Sequence, residues 1–161
     1  EAAMRDMTAR KAAGNDPLYF AVVDRQTDRA EGQQALMRIV PEHGVIEVGG
    51  IYWGPRLART RMATETIYLM ARYVFEDLGY RRFEWKCNAL NEASRAAARR
   101  FGFVFEGVFR QHMIVKGENR DTAWFAMLDG DWPGLRGEYE RWLAPENFDA
   151  VGNQLSPLRF G

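Results

Sequence analysis

An arginine-rich loop, Gly54-Pro55-Arg56-Leu57-Ala58-Arg59-Thr60-Arg61-Met62, joins an apolar strand to a helix that begins near Ala63. The first turn of a helix has N–H groups without intrahelical partners and carries the positive end of the helix dipole, so it attracts phosphate. Guanidinium groups beside it add forked, charge-assisted hydrogen bonds. Read alone, the loop is balanced between a phosphate site and a solvated basic turn. A second chemical element is Asn91-Glu92-Ala93-Ser94, at the start of another helix. Taken by itself this is a capping pair, with Asn91 as the N-cap. Glu47 is a charged residue in an apolar strand, and alternation points it away from Ile46 and Val48. That pattern fits either a half-exposed strand face or an acid–base group. His112 belongs to the residue type most used for proton transfer near neutral pH, although a strand-surface role suits it better. Glu84 reads as a structural strand residue, and Cys87, with apolar neighbours, as core. There is no Cys/His cluster with metal-ligand spacing, so no metal is expected.

The elements that would position these residues follow from periodicity. Residues 1–13 are helix-compatible and are broken by Gly14-Asn15-Asp16-Pro17. Tyr19–Asp24, Gln33–Val40 and Val45–Trp53 read as strands with short polar connections, an antiparallel meander. Gly49-Gly50 inside the third strand marks a bulge or a close backbone approach. Ile67, Met70, Ala71, Val74, Phe75 and Leu78 then recur at helical spacing, and Gly79 stands where a helix-ending glycine belongs. Arg82–Cys87 is a strand, Asn91–Phe101 a helix rich in alanine, and Val104–Val115 and Thr122–Leu128 are strands joined by the Lys116–Arg120 turn. Trp132–Leu143 is a last helix, followed by an irregular tail. Strand, helix, strand, helix in the middle predicts one parallel pair with a crossover helix inside an otherwise antiparallel α/β sheet.

The 161 residues make one domain. Lys plus Arg and Asp plus Glu balance at 22 each, which gives no support to a nucleic-acid or membrane-surface role. One cysteine, with no long apolar run and no visible leader, points to a reducing, cytoplasmic setting. The apolar stretch Trp132–Phe148 is either a homodimer surface or a covering helix.

The run Trp53–Glu65, Leu78-Gly79-Tyr80-Arg81-Arg82, Asn91-x-x-Ser94, Arg99-Arg100-Phe101-Gly102-Phe103, Glu106-Gly107 and Arg120-Asp121 resembles, in order and spacing, the RimJ/RimL-like branch of the GNAT N-acetyltransferases. The resemblance covers roughly residues 18–133, leaving 134–161 as a C-terminal helix and tail, and the chain starts after the family's first strand and helix. It implies two central parallel strands that splay at a bulge, with acetyl-CoA in the resulting V. Backbone groups of Ile51, Tyr52 and Trp53 would hold the pantetheine arm, with Asn91 bonding it and Ser94 near the thioester sulfur. The diphosphate would lie on Arg56, Arg59, Thr60, Arg61, Met62, Ala63 and Thr64. The family's phosphate loop usually reads Arg or Gln, two residues, Gly, one residue, Gly or Ala. Here Ala58 and Arg61 stand at the first position and at the glycine. Arginine side chains are expected to replace some backbone contacts there.

The implied chemistry is transfer of an acetyl group to a primary amine, on a protein N-terminus or a small molecule. An amine must be neutral to attack, which makes a general base useful. Glu47 is the first candidate, before His112 and Glu84; Ser94 would protonate the leaving thiolate. N–H groups exposed at the bulge would face the charge developing on the carbonyl oxygen. A non-catalytic acyl-CoA-binding regulatory domain is the alternative, motivated by Ala58 and Arg61.

Overall fold

Alternating apolar and polar residues give six strands, with the expected antiparallel meander first and one parallel pair in the middle. A computed structural model describes residues 14–160; the helix-compatible run 1–13 lies outside them. Strands β1 (Leu18–Asp24), β2 (Arg29–Val40) and β3 (Val45–Trp53) form the antiparallel meander. Strand β4 (Arg82–Asn88) runs parallel to β3, and the hairpin of β5 (Val104–Val115) and β6 (Glu118–Leu128) completes the order β1-β2-β3-β4-β6-β5. The helices are α1 (Arg61–Arg72), α2 (Glu92–Arg100) and α3 (Trp132–Leu143).

Two strands run further than periodicity predicted. The turn after β1 is tightened by the Asp24 carboxylate, which accepts from the Gln26 amide and the Thr27 hydroxyl, so β2 begins at Arg29 rather than Gln33. Strand β6 begins at Glu118 rather than Thr122, because Lys116 and Gly117 alone make the turn, both with positive φ. The expected role of Leu78 on the apolar helix face is also corrected. Tyr73–Asp77 is wound as a π-turn, with the Leu78 amide donating to the Tyr73 carbonyl, and Leu78 is 39% exposed. The wider turn rotates it out of the stripe that buries Ile67, Ala71 and Val74. Gly79 closes the helix at φ 65°.

One face of the sheet carries the core. Ile46, Val48, Phe83, Trp85, Cys87 and Phe125 pack with Ile67 and Ala71 of α1, Ala98 of α2 and Tyr139 of α3. Trp132, Tyr139 and Trp142 are buried, so α3 covers this core, as one of the two readings of the tail expected.

The glycine pair forms a bulge. Ala35 pairs with Gly49 while Gln33 pairs with Tyr52, so β3 carries one extra residue opposite β2. Gly50 takes it up at φ 57°, where a Cβ would lie 3.1 Å from the Tyr19 ring. Gly50→Ala is expected to lower the unfolding free energy by about 1–2 kcal/mol, the cost of a left-handed alanine, as measured by chemical denaturation.

Candidate active site at the split between the parallel strands

The β3–β4 ladder is short. It runs from Val45 opposite Arg82 to Val48 opposite Trp85 and stops where the bulge begins. Beyond it β3 stays with β2 as far as Trp53, and β4 stays with β6 as far as Asn88. The inner edges of Gly49–Trp53 and Lys86–Asn88 therefore face each other without a ladder between them. Main-chain groups so placed must find other partners, and an extended ligand with amide groups would supply them.

Helix α1 stands at the mouth of this V. Its N-cap is Thr60, whose hydroxyl accepts from the Ala63 amide at 3.3 Å and donates to the Leu57 carbonyl at 2.7 Å. The loop folds on itself through Leu57 and Ala58 amides donating to the Gly54 carbonyl, and Leu57 is fully buried against Val22 and Ala63. The strained residue is Arg59, at φ 66°, where arginine is uncommon. Arg56 is not free at its Nε, which donates to both oxygens of buried Glu31 at 3.0 and 2.9 Å. Arg61 is turned towards the C-terminal segment: it donates to the Leu143 carbonyl at 2.5 Å and lies 4.6 Å over the Phe148 ring. Ala63 and Thr64 are buried, Met62 is half-buried, and Thr64 accepts from Arg100 at 3.0 Å. In the V itself, Ile51 and Trp53 pack against the core while Tyr52 is 73% exposed. The Trp53 indole N–H is buried without a partner among the described residues.

On the helical side of the sheet, Asn91 caps α2 by accepting from the Ser94 amide at 3.0 Å, the capping role expected of the pair alone. The Ser94 hydroxyl accepts from the Trp85 indole at 3.0 Å. The Cys87 thiol also lies beside it; burial pushes that thiol up and the serine hydroxyl pulls it the other way.

The opposite face holds a row of charges. Glu47 is 4% exposed and its Oε2 meets Arg38 at 2.6 Å and Lys86 at 3.0 Å. Lys86 also meets Glu84 at 2.8 Å and lies 3.7 Å over the Trp124 ring. Arg82 links Glu84 to Glu106, whose carboxyl it holds below the ordinary glutamate range. Three carboxylates thus alternate with three cations across β2, β3, β4 and β5. Glu84 is ion-paired on both sides within this row, and His112 bonds Thr122 at 2.9 Å beside the Phe109 and Trp124 rings. Trp124 is a half-buried platform for the Lys86 ammonium. Lys86 was missed in the sequence, although its alternation with Trp85 and Cys87 places it on the face of Glu84.

A cavity of about 850 Å³ lies elsewhere, between β1–β2 and the far side of α1, lined by Phe20, Val22, Leu36, Met62 and Leu69 among others. No residue of β4 or α2 lines it, although Arg61 and Met62 at the start of α1 do.

A mixed sheet whose central parallel strands separate beside a helix N-terminus sets the α/β class of this protein. The profile of the acetyltransferase (GNAT) domain matches residues 1–104, and the chain belongs to that family. It is 55% identical to a GCN5-related N-acetyltransferase from Brucella melitensis, whose crystal structure superposes with a TM-score of 0.94 over 98% of this chain and 71% of that one. It is 36% identical over 62 residues to the ribosomal N-acetyltransferase-like protein YdaF of Bacillus subtilis, covering 38% of this chain and 34% of YdaF. The uncharacterized N-acetyltransferase p20 of Bacillus licheniformis is 26% identical over 119 residues, 71% of this chain and 64% of p20. The chain thus spans less than two thirds of these two relatives. No described helix is long and apolar enough to cross a membrane, and no described group of residues could hold a metal ion.

Lys86 is the keystone of the charge row, because two carboxylates share it inside the protein. Lys86→Met is expected to cost about 3 kcal/mol, the low end of the range for removing one partner of a buried pair, since Arg38 and Arg82 remain. Thermal unfolding of the two proteins checks this.

Proposed function

We propose that this protein moves the acetyl group of acetyl-CoA to a primary amine by direct attack in a ternary complex. The observation that carries the reading is the unpaired stretch of β3 and β4 beyond Val48 and Trp85, with the α1 N-terminus at its mouth. Bound acetyl-CoA supplies the activated acyl group. Main-chain groups of Ile51, Tyr52 and Trp53 are placed to hold its pantetheine arm. Asn91 keeps its amide N–H groups for the same arm, because its oxygen is spent on the cap.

The phosphate contacts divide differently from the expectation. The Ala63 amide is taken by Thr60, which leaves the Arg61 and Met62 amides as the open donors of the first turn. Arg59 is exposed beside them, and Arg56 retains its terminal nitrogens. Arg61 would reach a phosphate with its side chain only by leaving Leu143 and Phe148.

Ser94 and Glu47 lie on opposite faces of the sheet with the V between them, which suits an acid for the leaving sulfur on one side and a base for the amine on the other. Oε2 of Glu47 is occupied by two cations, and Oε1 lies 3.5 Å from where a Cβ on Gly49 would stand, at the bulge. The amine is that of a protein N-terminus, as the RimJ/RimL resemblance implies, or of a small molecule; the ribosomal N-acetyltransferase name of YdaF goes with a protein acceptor. A cytoplasmic setting, which supplies acetyl-CoA and keeps Cys87 reduced, goes with this reading.

The test is thiol release from acetyl-CoA with a panel of N-terminal peptides, lysine peptides and polyamines. At least one should be a substrate; Ser94→Ala should then lower kcat by about 100-fold with coenzyme A affinity kept. Glu47→Gln should also slow turnover at unchanged coenzyme A affinity. Tight binding of acetyl-CoA without turnover on any amine would favour the regulatory alternative.

A further inference from the structure

We propose that Trp85 is a positioning residue that aims the Ser94 hydroxyl proton into the V. The inference rests on the acetyltransferase reading and assigns a role within the same site. An indole N–H can donate and never accept, so in the 3.0 Å bond from Trp85 Nε1 the Ser94 oxygen is the acceptor. One lone pair of the hydroxyl is thereby fixed, and the proton must point away from Trp85.

The usual competitor for that proton is absent. A helical serine or threonine commonly donates to the carbonyl four residues back, as Thr66 does to Met62 at 2.8 Å. Among the described residues Ser94 makes no such bond; its N-cap, Asn91, holds its amide, and the Cys87 thiol lies beside its hydroxyl. A neutral thiol is a weak acceptor, so the proton is available to a stronger one.

The donor is itself rigid. Trp85 is 5% exposed, it ends the β3–β4 ladder opposite Val48, and its ring is pinned by Phe103 at 5.5 Å and Phe101 at 6.2 Å. The residue that closes the ladder therefore also orients the serine beside the opening. In the transfer, the amine nitrogen bonds to the acetyl carbon and the carbon–sulfur bond breaks. The Ser94 proton passes to the departing sulfur, and the proton lost by the amine returns to Ser94 through solvent. Without the Trp85 bond the hydroxyl would be free to rotate, its proton no longer held away from the indole, and that freedom would lower the rate of the step without touching cofactor contacts.

The test is a double-mutant cycle with acetyl-CoA and the best amine of the panel, joined to a resonance measurement. Trp85→Phe keeps the ring and removes the N–H. It should lower kcat by roughly tenfold, part of the contribution of a general acid, with KM for acetyl-CoA unchanged. In a Ser94→Ala background Trp85→Phe should cost nothing further. Equal losses in both backgrounds would overturn the proposal and leave Trp85 a packing residue. In 15N-labelled protein, the Trp85 indole proton should move upfield on Ser94→Ala; an unmoved resonance would overturn the hydrogen bond on which everything here depends, and this arm decides even where Trp85→Phe does not fold. Absence of thiol release in the parent protein would sink the acetyltransferase reading, and the resonance would still decide the bond.

Discussion

Two glycines in β3 govern the site. A bulge at Gly49-Gly50 inserts one residue against β2, which turns β3 away from β4 after only four paired positions. Neither glycine tolerates a side chain easily: a Cβ on Gly49 would lie 2.3 Å from the Met37 sulfur, and Gly50 has φ 57°. The sheet pays for the split with a short stretch of unmade ladder, and the loss is confined to the end where α1 and α2 begin. Helix dipoles, capping residues and free main-chain groups consequently converge on one opening. The same bulge leaves Trp85 as the last residue of β4 paired with β3, next to Ser94.

The two faces of the sheet divide the work. The helical face is apolar and holds the strands in place through Phe83, Phe125, Ile67 and Tyr139. The other face carries Arg38, Glu47, Lys86, Glu84, Arg82 and Glu106 in alternating sign. Buried charges are tolerable when each meets its opposite at hydrogen-bond distance. A balanced row also adds no net charge to the face.

Much of this was legible in the sequence because it is local. The strand alternation around Ile46 and Val48, the Gly49-Gly50 bulge, the Asn91 cap and the Gly79 stop each depend on a few neighbouring residues, and each appears where expected. What was not legible depends on partners far along the chain. Arg61 bonds a carbonyl 82 residues away, so no loop pattern could have shown it turned from the phosphate position. Lys86 gains its meaning from Glu47 on another strand. The π-turn at Tyr73–Asp77, which turns Leu78 outward, leaves no mark in the apolar spacing. Family resemblance supplied Ser94; only the geometry supplied the indole that holds it.

The central claim is that the opening between β3 and β4 is where coenzyme A binds. A crystal structure of the protein with coenzyme A tests it most directly. The pantetheine arm should run between Gly49–Trp53 and Lys86–Asn88, with the diphosphate at the Arg61 and Met62 amides. Coenzyme A seated instead in the cavity beside Phe20 and Leu69, with the V left empty, would contradict the account.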